Sequence, residues 1–111
     1  MSKYHYHGTC IRGMSCTAEN YCAVTSKSGC QREGKQMPWR SPGWLAEWYS
    51  GETAVSCHQK CENRADCKAW TLNKNNGWCA LDDGSNNRRN PGQFLDNPGF
   101  VSKAVQLCDV D

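Results

Sequence analysis

Nine cysteines stand in this 111-residue chain, and clustered thiols can ligate a metal or oxidise to disulfides. The densest run is Cys57, Cys61 and Cys67, with Cys79 twelve residues further on in the string Trp78-Cys79-Ala80-Leu81. Zinc takes thiolates converging as a tetrahedron, usually from C-x2-C knuckles. The spacings here, C-x3-C and C-x5-C, are wider. Oxidised pairing is the better reading, and it sets the rest of the problem: which elements hold these sulfurs close enough to bond.

Two elements are legible around the run. The Thr53 hydroxyl can accept a free amide of a first helical turn, so it can cap a helix through residues 54 to 62. Cys57 and Cys61, at i and i+4, then share one face with Ala54, while Gln59, Lys60 and Glu62 turn to water. His58 falls on a different face from Cys57 and reads as a solvated surface residue. Residues 69 to 73 and 77 to 81 flank Asn75-Asn76-Gly77, and Asn-Gly is a strong hairpin signal. Alternation puts Trp70 and Leu72 on one face, matched by Cys79 and Leu81 on the return strand, so these four pack under the helix. The same alternation turns Trp78 outward beside the turn. A last strand is expected near residues 99 to 105, before Cys108.

Composition supports a stapled domain. Cysteine is about 8% of the chain while Leu, Ile, Val and Phe are sparse, so a hydrophobic core alone would be thin. Such cysteine density persists in oxidising compartments, which implies a secreted, cell-surface or secretory-organelle protein. The start, Met1-Ser2-Lys3-Tyr4-His5-Tyr6-His7, lacks the apolar segment of a signal peptide and reads as a mature fragment with an added methionine. His5 and His7 sit in a polar tail and are not read as ligands. No run approaches eighteen apolar residues, so no membrane insertion is expected. A net charge of +2 and aromatics outside any RNA-binding signature argue against nucleic acid as a partner. Residues 1–29, with Cys10, Cys16 and Cys22, read as a loop-rich extension. All five tryptophans and both phenylalanines lie in residues 30–108, which read as the folded domain.

The pattern Cys57-x3-Cys61-x5-Cys67-x2-Trp70, then Trp78-Cys79-Ala80-Leu81, and finally Phe100-Val101-Ser102 before Cys108, resembles the PAN/Apple domain. Cys30, followed by Gln31-Arg32-Glu33-Gly34, fits that family's opening cysteine. The resemblance spans residues 30–108. Its Cys-Lys-Ala-Trp-Thr and Gly-Phe-Val-Ser phrasing is most similar to domains of apicomplexan microneme adhesins or oomycete surface lectins. It implies an α+β fold: a twisted antiparallel sheet of about four to six short strands packed on one helix near residues 54 to 64, stapled by disulfides. The implied bonds are Cys30–Cys108, Cys57–Cys79 and Cys61–Cys67. The odd set Cys10, Cys16 and Cys22 departs from the family, and either Cys16–Cys22 or Cys10–Cys22 can form. A third thiol is then left over, to stay reduced, to bond another chain, or to have lost its partner when the fragment was cut from a longer protein.

With its cysteines bonded, such a domain offers no nucleophilic thiolate, and no enzyme or cofactor chemistry is expected. Asp82-Asp83-Gly84-Ser85-Asn86 has oxygen ligands for calcium but lacks an EF-hand's alternating set, and it reads as a plain turn. Sugar sites join an exposed aromatic platform to amide, carboxylate or ammonium groups that hydrogen-bond hydroxyls. Trp78, Lys74, Asn75, Asn76, Asp82 and Tyr49 supply those parts, with Trp48 an alternative to Tyr49. Trp39, Trp44 and Trp70 are assigned to the core. The function expected is adhesion to a galactose-type glycan on a cell-surface receptor or glycoprotein, in a secreted protein held before release in an organelle such as a microneme. Two alternatives stay open. Arg88 and Arg89, with Lys60, Arg64, Lys68 and Lys74, form a basic side able to hold sulfated glycosaminoglycan. A docking module for other proteins, including fellow adhesin subunits, is the other.

Overall fold

The computed structural model describes residues 10–17, 21–24, 29–38, 42–85 and 94–109. Trp39, Arg88, Arg89, His5 and His7 lie outside them. Among the described residues, seven strands and one helix follow one another: β1 Met14–Cys16, β2 Cys22–Val24, β3 Cys30–Gln36, β4 Trp44–Trp48, α1 Ala54–Glu62, β5 Ala69–Asn73, β6 Trp78–Asp82 and β7 Leu95–Ala104. A short 3-10 helix, Val105–Asp109, closes the described chain. Strands β3-β7-β5-β6-β4 form one antiparallel sheet in that order, and β1 with β2 forms a separate hairpin. The small hairpin was not expected in a segment read as loops. The final strand begins earlier than the spacing suggested, and Val105 belongs to the 3-10 helix.

The helix starts where its cap says it should. Thr53 Oγ1 accepts from the Ser56 amide at 3.1 Å and Ser56 Oγ accepts from the Thr53 amide at 2.8 Å, a reciprocal box that satisfies two otherwise orphaned donors. Its buried face is Ala54, Cys57, His58 and Cys61. Beneath it lie Trp70, Leu72, Cys79, Leu81 and Val101, set on one side of the sheet by the pairings Trp70↔Leu81, Leu72↔Cys79 and Leu72↔Val101. Gly77 makes the β5–β6 turn possible twice over. Its φ of +77° is left-handed, and a Cβ there would meet the Gly51 amide nitrogen at 2.5 Å, because Glu52 N donates to Gly77 O across the same gap.

The opposite side of the sheet is also covered. Ala69, Trp78, Ala80, Phe100 and Ala104 pack there with Met37, Phe94 and Leu107 as a second core, flanked by Trp44. A buried hydroxyl chain pins this layer: Ser102 Oγ donates to Lys35 O, Thr71 Oγ1 and Ser102 Oγ lie 2.6 Å apart, and Met37 N donates to Thr71 Oγ1. A bulge in β4 serves both layers. Trp44 pairs with Asp82 but Ala46 with Leu81, so one extra residue sits between them. Trp44 therefore joins the second core while Trp48, four residues on, packs against the first.

Four disulfides fasten these layers. Cys57–Cys79 ties helix to sheet, Cys61–Cys67 closes the loop after the helix, and Cys30–Cys108 joins β3 to the 3-10 helix. These are the pairings implied by the resemblance. In the N-terminal segment the bond is Cys10–Cys22, and Cys16, exposed at the end of β1, keeps its thiol.

His58 corrects the expectation of a solvated residue: it is fully buried. Its Nδ1 accepts the Trp70 indole N–H at 3.2 Å, and Nε2 lies 3.4 Å from the Arg12 carbonyl oxygen and 3.6 Å from Glu62 Oε2. Helical periodicity could not reveal this cover, which comes from the N-terminal segment. A Cβ on Gly13 would stand only 3.2 Å from His58 Nε2. Burial lowers the His58 pKa below 6.5, with Lys103 acting in the same sense and Glu62 and the Arg12 carbonyl opposing. The sign follows directly. A histidine more acidic when folded stabilises fully above pH 6.5 and loses that contribution as pH falls from there towards its folded value. Urea denaturation between pH 8 and 5 should show stability falling on the acid side by up to about 1.4 kcal/mol per pH unit. His58→Gln should flatten that slope, and an unchanged slope in the variant would remove His58 as its cause.

Candidate functional site

A cleft of about 280 Å³ opens on the side of the sheet away from the helix, lined by Gln36, Tyr49, Asn73, Asn76, Trp78 and Phe100. Its size lies near the small end of ligand pockets, which suits a single ring-sized ligand. The alternation of β6 and β7 brings Trp78 and Phe100 to this side, and the β5–β6 turn presents Asn73 and Asn76 at its rim. Asn76 Oδ1 accepts from the Trp78 amide and Asn73 Oδ1 from the Asn75 amide, each at 2.9 Å, so both turn side chains are oriented by backbone.

One carboxylate organises the aromatic wall. Glu47 Oε1 accepts the Trp78 indole N–H and Glu47 Oε2 accepts the Tyr49 hydroxyl, both at 3.0 Å. Two donors converging on one side chain require a carboxylate, since a glutamine would present an NH2 to one of them. Trp78 is held further by Trp44, with ring centroids 5.7 Å apart, and by Phe100, edge-on at 6.2 Å.

The residues named from sequence separate into three groups. Trp78, Asn76 and Tyr49 line the cleft together. Lys74 and Asn75 belong to the same turn without lining it; Lys74 pairs with Glu33, and its amide donates to Gly99 O. Asp82 is elsewhere: it is fully buried, four residues along β6 from Trp78, about 13 Å at strand spacing, and its Oδ2 accepts from Gly84 N in a local turn.

The exposure expected of Trp78 is also corrected. Its face was read correctly, but the residue is only 7% exposed, because the second core covers that face. The exposed platform is Tyr49, at 67%. Gln36, Asn73, Phe100 and the bridging Glu47 were missed. Asn73 and Phe100 carried a signal in strand alternation. Gln36 and Glu47 carried none, since β3 and β4 reach this place only through the sheet order.

Of the basic alternative, Arg88 and Arg89 lie outside the described residues, while Arg64, Lys60 and Lys74 each have an acidic partner. Arg64 makes two hydrogen bonds of 3.0 Å to Asp66, which raise the arginine's pKa and lower the aspartate's. Lys60 lies 3.8 Å from Glu52 and over the Trp48 ring at 4.8 Å. Among the described residues no group of three or more His, Cys, Asp or Glu is arranged to hold a metal ion, and no helix is long and apolar enough to cross a membrane. Asp82 and Asp83 instead accept from the amides of Gly84 and Ser85, as turn residues do.

Comparison with known proteins yields one match: a family model described as PAN domain covers residues 45–108, more than half of the chain. It takes in the helix, β5 to β7, the two disulfides Cys57–Cys79 and Cys61–Cys67, and Cys108 but not its partner Cys30. No curated protein and no solved structure matches.

Proposed function

The chain belongs to the PAN domain family, whose members are binding modules for proteins or carbohydrates and not enzymes; from that premise we propose that it is an adhesion module whose cleft takes a neutral glycan of galactose type. One observation carries the reading. The six lining residues pair aromatic surface with amides, and none of them is charged. An aromatic face suits the C–H side of a hexose, and amides donate to and accept from its hydroxyls, whereas a sulfated chain calls for cations at the contact. The choice of galactose among neutral sugars rests on the resemblance of the Cys-Lys-Ala-Trp-Thr and Gly-Phe-Val-Ser phrasing to microneme and oomycete domains, to which the family match does not extend. Four disulfides and a PAN domain suit an extracellular module, and a cell-surface glycan or glycoprotein is the fitting partner.

The test is a titration of isotope-labelled, oxidised protein with galactose, lactose and a heparin fragment, at low and physiological salt. Neutral sugars should shift the Trp78 indole N–H and the Asn73 and Asn76 side-chain signals with little salt dependence. Tyr49→Ala should weaken binding by about tenfold, equivalent to ~1.4 kcal/mol, without loss of fold. Lys74→Ala should do so less, since Lys74 stands outside the lining. Heparin-only shifts that fade with salt, or silence with every sugar, would end the neutral-glycan reading. The second outcome would point to a protein partner.

A further inference from the structure

The pairing of β1 with β2 sets Cys16 directly opposite Cys22, while Cys22 is bonded to Cys10. Residues opposite one another in an antiparallel pair project to the same face with Cα atoms about 4.5 to 5.5 Å apart, inside the span of roughly 4.4 to 6.8 Å that a disulfide bridges. Cys22 thus has two cysteines within bonding range, one attached and one carrying a thiol.

We propose that Cys10, Cys16 and Cys22 form a thiol–disulfide exchange site in which Cys22 alternates between two partners. Cys16 gives its proton to water and the thiolate attacks Cys22 Sγ. The Cys16–Cys22 bond forms as the Cys22–Cys10 bond breaks, and the electron pair leaves on the Cys10 sulfur, which takes a proton from water. One thiol and one disulfide stand on each side, so no oxidant or reductant is consumed. Accessibility favours the internal route: Cys22 is buried, shielded from outside thiols, whereas Cys16 is exposed and held beside it by strand pairing.

Exchange moves the reactive thiol from the loop end of the small hairpin to residue 10. In the observed state Cys10 and Ile11 pack against the helix-side core, and the Arg12 carbonyl faces His58. Breaking the Cys10–Cys22 bond removes the covalent hold on that stretch and offers the Cys10 thiol to a thiol or disulfide of a second chain. The bonds Cys30–Cys108, Cys57–Cys79 and Cys61–Cys67 share no cysteine with the site and stay as they are. The inference is independent of the glycan reading.

Unreduced protein is held at pH 7 and pH 8.5, alkylated with N-ethylmaleimide, quenched in acid and mapped by peptide mass spectrometry. Two species are expected: alkylated Cys16 with Cys10–Cys22 bonded, and alkylated Cys10 with Cys16–Cys22 bonded. The second should appear faster at the higher pH, by about tenfold per unit while the attacking thiol remains mostly protonated. Cys16→Ser should show only Cys10–Cys22, and Cys10→Ser, oxidised with glutathione, should form Cys16–Cys22. Alkylation confined to Cys16 in the wild-type chain after a day at pH 8.5 would overturn the proposal. So would label spread over the other six cysteines, which would mean general scrambling.

Discussion

Replacing Cys30 and Cys108 together by serine should cost about 4.5 kcal/mol of folding stability, read by urea or guanidinium denaturation. The two cysteines are 78 residues apart in sequence, and a cross-link that closes so long a loop removes more freedom from the unfolded chain than a short one. The folded side agrees. Strand β3 lies at the sheet edge and pairs within the sheet only with β7 among the described residues, and the 3-10 helix after β7 adds the buried side chain of Leu107, whose carbonyl accepts from Arg32 Nε at 2.8 Å. These contacts hold the two ends together less strongly than a core strand would be held. Against a total stability of about 5 to 15 kcal/mol for a domain, the loss would leave the fold marginal. The matched control is Cys61→Ser with Cys67→Ser, which opens a loop of only 6 residues' separation and should cost about 2 to 3 kcal/mol. Equal losses from the two pairs would refute the loop-length argument.

Trp78→Ala should be nearly as damaging, at about 3 to 5 kcal/mol, and should lower the melting temperature by on the order of 15 °C or more. The substitution empties the space between Trp44 and Phe100 and leaves Glu47 Oε1 without the indole donor. Loss of ligand binding in that variant would therefore say little about a contact with the ligand. Tyr49→Ala is the informative partner, because the ring is 67% exposed and its removal should change stability by less than about 0.5 kcal/mol. A drop of only a few degrees for Trp78→Ala would mean that the second core contributes much less than its packing indicates.

The contrast between these two aromatic residues shows where sequence reasoning reached and where it stopped. Strand alternation placed Trp78 opposite Cys79 and Leu81, and the sheet agrees. Alternation states which face a residue takes but not what lies over that face. The cover is Met37, Phe94 and Leu107, which approach from distant parts of the chain. His58 repeats the lesson on the helix. It was read as lying on a different face from Cys57, yet it shares the helix's buried face with Cys57, and Arg12 and Gly13, more than forty residues earlier, enclose it.

What the amino-acid order determined by itself was local: the Thr53 cap, the helix that carries Cys57 and Cys61, the turn at Gly77, and the faces of β5 and β6. Each depends on contacts a few residues apart, where backbone preference and periodicity suffice. Tertiary structure alone decided the rest. Sheet order brought Gln36, Tyr49 and Phe100 to one cleft, and a single extra residue in β4 sent Trp44 and Trp48 to opposite cores while aiming Glu47 at Trp78. Strand pairing also put both Cys10 and Cys16 within reach of Cys22. These are outcomes of packing between segments far apart in sequence, and pairwise spacing along a chain carries no information about which distant surface will fill a given face.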